Sequence, residues 1–111
     1  MSISTHVLDT ARGRPAAGVA VTLSRRDARG AWSVVGEAVS DGDGRVRHLT
    51  TGPVEAGVYR LEFATDAYFE TTGTRGFYPE VSVIFSVTDS EAHHHLPLLL
   101  SPFGYSTYRG T

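Results

Sequence analysis

Apolar and polar residues alternate with a period of two through much of this chain. Val19, Val21 and Leu23 fall on one side of an extended segment, with Ala20, Thr22 and Ser24 on the other. Tyr59, Leu61 and Phe63 alternate with Arg60 and Glu62, and Val81, Val83, Phe85 and Val87 alternate with Ser82 and Ser86. Successive side chains of a strand leave opposite faces of the sheet, so each set predicts a strand with one buried face. Residues 31–39 and 45–49 are further strand candidates. Between the candidates lie segments with turn chemistry, at 13–18, 27–30, 41–44, 52–57, 73–79, 88–91 and 101–104. Asp41-Gly42-Asp43-Gly44 has the composition of a hairpin turn. This spacing predicts an all-β sandwich or barrel of about eight strands. Residues 66–71 lack alternation and predict one short helix, with Asp66 as its N-cap.

A length of 111 residues suits one domain, and residues 1–111 are read as a single unit. There is no cysteine, which removes disulfides and thiolate metal sites. A net charge of −2 gives no electrostatic reason to expect nucleic acid or an anionic membrane as partner. No stretch approaches the roughly 18 apolar residues of a membrane span, and the start has no signal-peptide pattern. A cytoplasmic location is the expectation.

The candidate chemistry is concentrated in histidines and in the C-terminal tail. Three of the five histidines are consecutive, His93, His94 and His95, and an apolar run from Leu96 to Leu100 follows. On a strand, His94, Leu96, Leu98 and Leu100 share the core face. His93 and His95 then point together away from it, toward a cleft or a partner subunit. Two histidines at i and i+2 have metal-ligand spacing. A third ligand is missing: there is no HExxH helix, and Asp89 and Glu91 sit in a turn, so no metal is expected. His6 shares a strand face with Ser4 and Leu8, while Asp9 precedes a turn and is read as structural. Arg45 and Arg47 lie on one face after the 41–44 turn. A guanidinium there has the planar fork to orient an oxygen-rich ligand, although an arginine after a turn is usually just solvated. The tail Phe103 to Thr111 is rich in aromatics and hydroxyls to its last residue, which predicts either a docked tail or a final edge strand. Nucleophile elbows and phosphate loops are absent.

Four blocks then carry a resemblance. Thr5-His6-Val7-Leu8-Asp9, Asp43-Gly44-Arg45, His93-His94-His95-Leu96-Pro97-Leu98-Leu99-Leu100-Ser101-Pro102-Phe103-Gly104-Tyr105 and Tyr108-Arg109-Gly110-Thr111 resemble, in order, the signatures of the 5-hydroxyisourate hydrolases, the transthyretin-related proteins. The resemblance runs from residue 5 to the end. It implies a transthyretin-like fold of two four-stranded sheets, with a short helix between the fifth and sixth strands. It also implies a homotetramer, a dimer of dimers, with active sites in the channel between dimers and both chain ends contributing.

Position by position, the resemblance implies a catalytic set of His6, Arg45, His95 and Thr111. Substrate binding is assigned to His6, Arg45, Tyr108, Arg109 and Gly110. His93 is a weaker candidate, and Arg47, without a motif counterpart, is set aside. Thr111 stands where the family has Ser and keeps the hydroxyl. His94 stands where the family often has Tyr and, by its register, belongs to the core. The implied reaction adds water to the C6 carbonyl of 5-hydroxyisourate and opens the ring at N1–C6, giving 2-oxo-4-hydroxy-4-carboxy-5-ureidoimidazoline. Either His6 or His95 is the base, and no cofactor is required. Two alternatives stand beside this one: a non-catalytic small-ligand carrier of the same fold, and a metal-binding β-module using His93 and His95.

Overall fold

A computed structural model describes residues 2–50 and 52–111. Among the described residues, nine strands and one helix follow the order β1 (Ser2–Asp9), β2 (Arg14–Pro15), β3 (Ala20–Arg26), β4 (Trp32–Val39), β5 (Arg45–Val46), β6 (Gly57–Phe63), α1 (Thr65–Thr71), β7 (Val81–Val87), β8 (His93–Ser101) and β9 (Gly104–Thr107). They form two packed sheets. One has the order β2-β1-β8-β9, with β5 also paired to β1; the other has the order β4-β3-β6-β7. Most neighbours are antiparallel, but β1 and β8 run parallel over the full length of β1, from Ser2 opposite His93 to Asp9 opposite Leu100. The all-β sandwich with one short helix is as expected. The helix follows the sixth strand rather than the fifth, because the two-residue ladder at β2 adds a strand.

The period-two patterns bury their apolar faces. Val19, Val21, Leu23, Leu61 and Phe63 of one layer meet Ile3, Val7, Leu98 and Leu100 of the other, all at most 1% exposed. Each such side chain contributes roughly 1.5–3 kcal/mol on leaving water. Ser24 is also buried although it keeps its alternating phase on β3, which pairs without a break to β6; the β3–β4 register instead skips Val35, the extra residue of a bulge on β4.

Three local expectations are corrected. Asp66 is not the N-cap: Ala64 occupies that position, and Asp66 lies in the first turn, where its charge complements the helix dipole. The 41–44 turn is not a hairpin. It carries the chain from β4 in one sheet to β5 in the other, and β5 pairs with β1. The strand at 45–49 stops at Val46. Beyond it, Leu49 turns inward, donates its amide to the Ile3 carbonyl and packs its own carbonyl against Gly36, where a Cβ would lie 1.7 Å from that oxygen.

Asp9, buried at the end of β1, is structural as expected. One carboxylate oxygen accepts the amides of Ala11 and Arg12 and the other accepts the Tyr68 hydroxyl at 2.7 Å, tying the strand end to α1.

Candidate active site

Strand register alone assembles the site. Ser4 and His6 are two apart on β1 and therefore share its outward face. Across the parallel ladder Ser4 is opposite His95, and across the antiparallel ladder His6 is opposite Arg45. His93 lies two residues before His95 and shares its face. The opposite face of β8 carries His94, Leu96, Leu98 and Leu100, all buried. His94 is therefore a core residue, and His93 and His95 point outward together, their rings stacked with centroids 6.3 Å apart.

The 41–44 turn presents Arg45. Asp41 accepts the amides of Asp43 and Arg45 through its side chain, and these bonds, that of Arg45 first, hold its carboxyl below the ordinary value. Gly44 closes the turn at φ +76°, and a Cβ there would meet the Val7 carbonyl at 2.3 Å. Only glycine fits that approach. The turn also offers the Asp43 carbonyl to Nε2 of His6 at 2.8 Å.

The tail is docked. Thr107 donates its hydroxyl to the Pro97 carbonyl, and the Gly110 amide donates to the His95 carbonyl at 2.8 Å. A Cβ on Gly110 would lie 2.7 Å from Cδ2 of His95, so the last residues press on that ring.

These elements enclose an open cleft of about 610 Å³, lined by His6, Arg45, His93, His95, Tyr108 and Thr111 among others. Its lining includes Arg45 and Arg47 and, among the described residues, no Asp or Glu side chain. Such a cleft favours electron-rich, oxygen-bearing ligands and developing negative charge. His95 is held below the ordinary histidine pKa by burial first, then by Arg45, His93 and His6. It is therefore neutral near pH 7 and able to accept a proton. Both ring nitrogens of His93 and Nδ1 of His95 are engaged by serine hydroxyls, which leaves this pair little capacity for a metal.

Of the residues named from sequence, the structure brings His6, Arg45, His95, Tyr108 and Thr111 to one cleft. Gly110 supports the ring of His95. Arg109 turns instead to a smaller, mostly apolar hollow of about 220 Å³ beside Val83, Phe85 and Leu96. Arg47, set aside earlier, lines the main cleft, as do Ser4 and His48. The signal for Ser4 was its i, i+2 relation to His6.

Comparison with known proteins agrees with this geometry. The HIUase/Transthyretin family model matches residues 3–110. The chain belongs to the HIUase/transthyretin family. It is 44% identical over 114 residues to the 5-hydroxyisourate hydrolase of Caulobacter vibrioides, covering 98% of this chain and 97% of that one. It is 42% identical over 111 residues to the mouse 5-hydroxyisourate hydrolase, covering 98% and 94%. Among solved structures in the family, the Klebsiella pneumoniae 5-hydroxyisourate hydrolase superposes with a TM-score of 0.88 at 36% identity, with both chains fully covered. Sea bream transthyretin in complex with thyroxine superposes with a TM-score of 0.90 at 36% identity, covering 100% of this chain and 96% of that one. Fold likeness therefore does not separate hydrolase from carrier within the family, and the cleft residues must do so.

Proposed function

We propose that the protein hydrolyses 5-hydroxyisourate to 2-oxo-4-hydroxy-4-carboxy-5-ureidoimidazoline, a step of urate degradation. The observation that carries this reading is the meeting of His6, Arg45, His95, Tyr108 and Thr111, drawn from three strands and the tail, around one cleft. Its relatives named 5-hydroxyisourate hydrolase support the same assignment.

The reaction needs a water, a base, a charge partner for the oxyanion at C6 and a proton for the leaving N1. His95, neutral in its buried setting, takes the proton from the attacking water, and that proton passes to N1 as the C6–N1 bond breaks. Arg45 faces the oxyanion, where a fixed cation stabilises charge that exists only in the transition state. His6 donates Nε2–H to the Asp43 carbonyl, so its Nδ1 is the nitrogen left to exchange a proton with the substrate. Tyr108 and Thr111 add hydroxyls for the substrate's oxygens. No cofactor enters this scheme.

The same reading takes residues 1–111 as one domain, places the protein in the cytoplasm, and assembles it as a homotetramer, a dimer of dimers. β7 and β9 are edge strands among the described residues, and Ile84, Phe103 and Tyr108 are each more than half exposed, surface that assembly would cover.

The test is to generate 5-hydroxyisourate in situ from urate and follow its ultraviolet absorbance with and without the protein. Faster decay with wild type, lost in His95→Ala, is the expected result. A folded wild type that leaves the spontaneous decay unchanged removes the hydrolase reading and leaves the carrier.

A further inference from the structure

Ser4 stands between two imidazoles. Its side chain is on the outward face of β1, and the residue is 6% exposed. Its Oγ lies 2.7 Å from Nδ1 of His95 and 3.0 Å from Nε2 of His93. The other nitrogen of His93, Nδ1, lies 2.5 Å from Oγ of Ser2 at the protein surface. Four side chains from two strands thus form one unbranched hydrogen-bonded row, His95–Ser4–His93–Ser2. It leads outward from the cleft, and the β1–β8 register sets its spacing.

A hydroxyl has one proton. Ser4 can donate to only one of its two imidazole neighbours and must accept from the other. The row therefore has two arrangements. In one, His95 donates Nδ1–H to Ser4, Ser4 donates to Nε2 of His93, and Nδ1–H of His93 donates to Ser2. His95 then keeps an unprotonated Nε2. In the other, every donor is reversed, and neutral His95 carries its proton on Nε2, where it cannot act as a base.

We propose that Ser4 is a positioning residue for the reaction, locking His95 in the tautomer with a free Nε2 and making that tautomer conditional on the protonation state of His93. This rests on the hydrolase reading above. When His93 gains a proton, both its nitrogens become donors. Ser4 must then accept from His93 and turn its own proton toward Nδ1 of His95. The base is thereby withdrawn without His95 leaving its place. The other charged and titratable groups acting on His95 are Arg45 on β5 and His6 on β1, while Arg47, His48 and Tyr108 line the same cleft. None of these bonds to Ser4, so the conditional behaviour belongs to His93.

The test has a readout on the unaltered protein. Nitrogen-15 NMR of labelled imidazoles reports which ring nitrogen carries the proton. At neutral pH, His95 is expected as a single tautomer protonated at Nδ1. On acidification the His95 proton is expected to move from Nδ1 to Nε2 while the ring is still neutral. Ser4→Ala is expected to mix the two His95 tautomers, abolish that proton shift and lower kcat about 10–100-fold, as loss of an orienting partner does. KM should stay within about twofold, since Ser4 need not touch substrate. Ser4→Thr, which keeps the hydroxyl, should recover most of kcat. Wild-type His95 protonated at Nε2 at neutral pH overturns the proposal, as does a Ser4→Ala protein with wild-type kcat and tautomer. A wild type without hydrolase activity removes the function instead, and the tautomer spectrum still decides the lock.

Discussion

Nε2 of His6 lies 2.8 Å from the carbonyl oxygen of Asp43, and because a carbonyl has no proton to give, the imidazole is the donor. The turn that presents Arg45 therefore also fixes the His6 tautomer. Asp-Gly-Arg acts on the site twice, through a side chain and through a backbone oxygen. The N-terminal histidine and the central Arg are held by one piece of chain, opposite each other across the β1–β5 ladder.

Replacing His6 with alanine removes a proton carrier while leaving the β1 backbone ladder intact. The expected loss is about 10²–10⁴-fold in kcat/KM, the range for a positioned acid–base group. His6 is only partly buried, so the urea midpoint should move little. Parallel decay assays and urea titrations check both. A variant that keeps near-wild-type turnover would assign the proton transfers to His95 alone.

Gly110→Ala tests whether the tail is part of the site. The new methyl would sit 2.7 Å from Cδ2 of His95, closer than van der Waals contact permits. Either the ring tilts or the tail lifts, carrying Tyr108 and Thr111 away. Displacement by about 1 Å can cost on the order of 100-fold in rate. Turnover should fall while thermal stability changes little, because the tail beyond Thr107 is joined to the sheet by a single bridge. Equal loss of both would make the tail an edge element that packs for stability.

Much of the sandwich was legible because burial and alternation coincide. Val21, Leu61 and Phe63 are buried where period two places them, and His94 is buried because it is in phase with Leu96, Leu98 and Leu100. Alternation failed where a local event breaks phase: the bulge at Val35 leaves Val34 and Val35 both exposed on the edge strand β4. The partners of the turns were not legible, since Asp41 to Gly44 has hairpin composition whether it joins strands of one sheet or of two. At the site, motif blocks named the residues with distinctive chemistry. Ser4 is visible in the sequence only as sharing a face with His6, since its cross-strand neighbour is unknown there and the parallel pairing that sets it opposite His95 spans the whole chain. Arg47 has no motif counterpart, yet it lies one residue past β5 and lines the cleft.

Tyr68→Phe separates stability from catalysis. Its hydroxyl donates to buried Asp9 at 2.7 Å, away from the cleft. The Tyr68 pKa is raised, by burial first and then by Asp9, so the phenol stays protonated and donating. Removing it leaves a carboxylate oxygen short of a donor, which costs about 1–3 kcal/mol. Urea unfolding should show that loss with kcat within about twofold of wild type, since the site on the far side of β1 is untouched. A large fall in kcat would show that Asp9 transmits strain along β1 to His6.

Acid should weaken the fold through His94 and His95. His94 is held below the ordinary histidine value by burial first, then by Arg109, and His95 by burial, then Arg45, His93 and His6. In the unfolded chain both titrate near about pH 6.5. Between that value and the lowered folded values the unfolded state binds more protons, so stability rises with pH across that interval. The contribution is complete above about pH 6.5 and is lost as the pH falls through the folded values. Urea midpoints measured from about pH 8 down to about pH 5 should therefore decline over the range in which histidine titrates. In His94→Leu, which keeps an apolar group on the core face of β8, the decline should be shallower, with the remainder due to His95. A decline of undiminished slope would place the acid sensitivity outside His94, and His95→Gln would then be the variant that removes it.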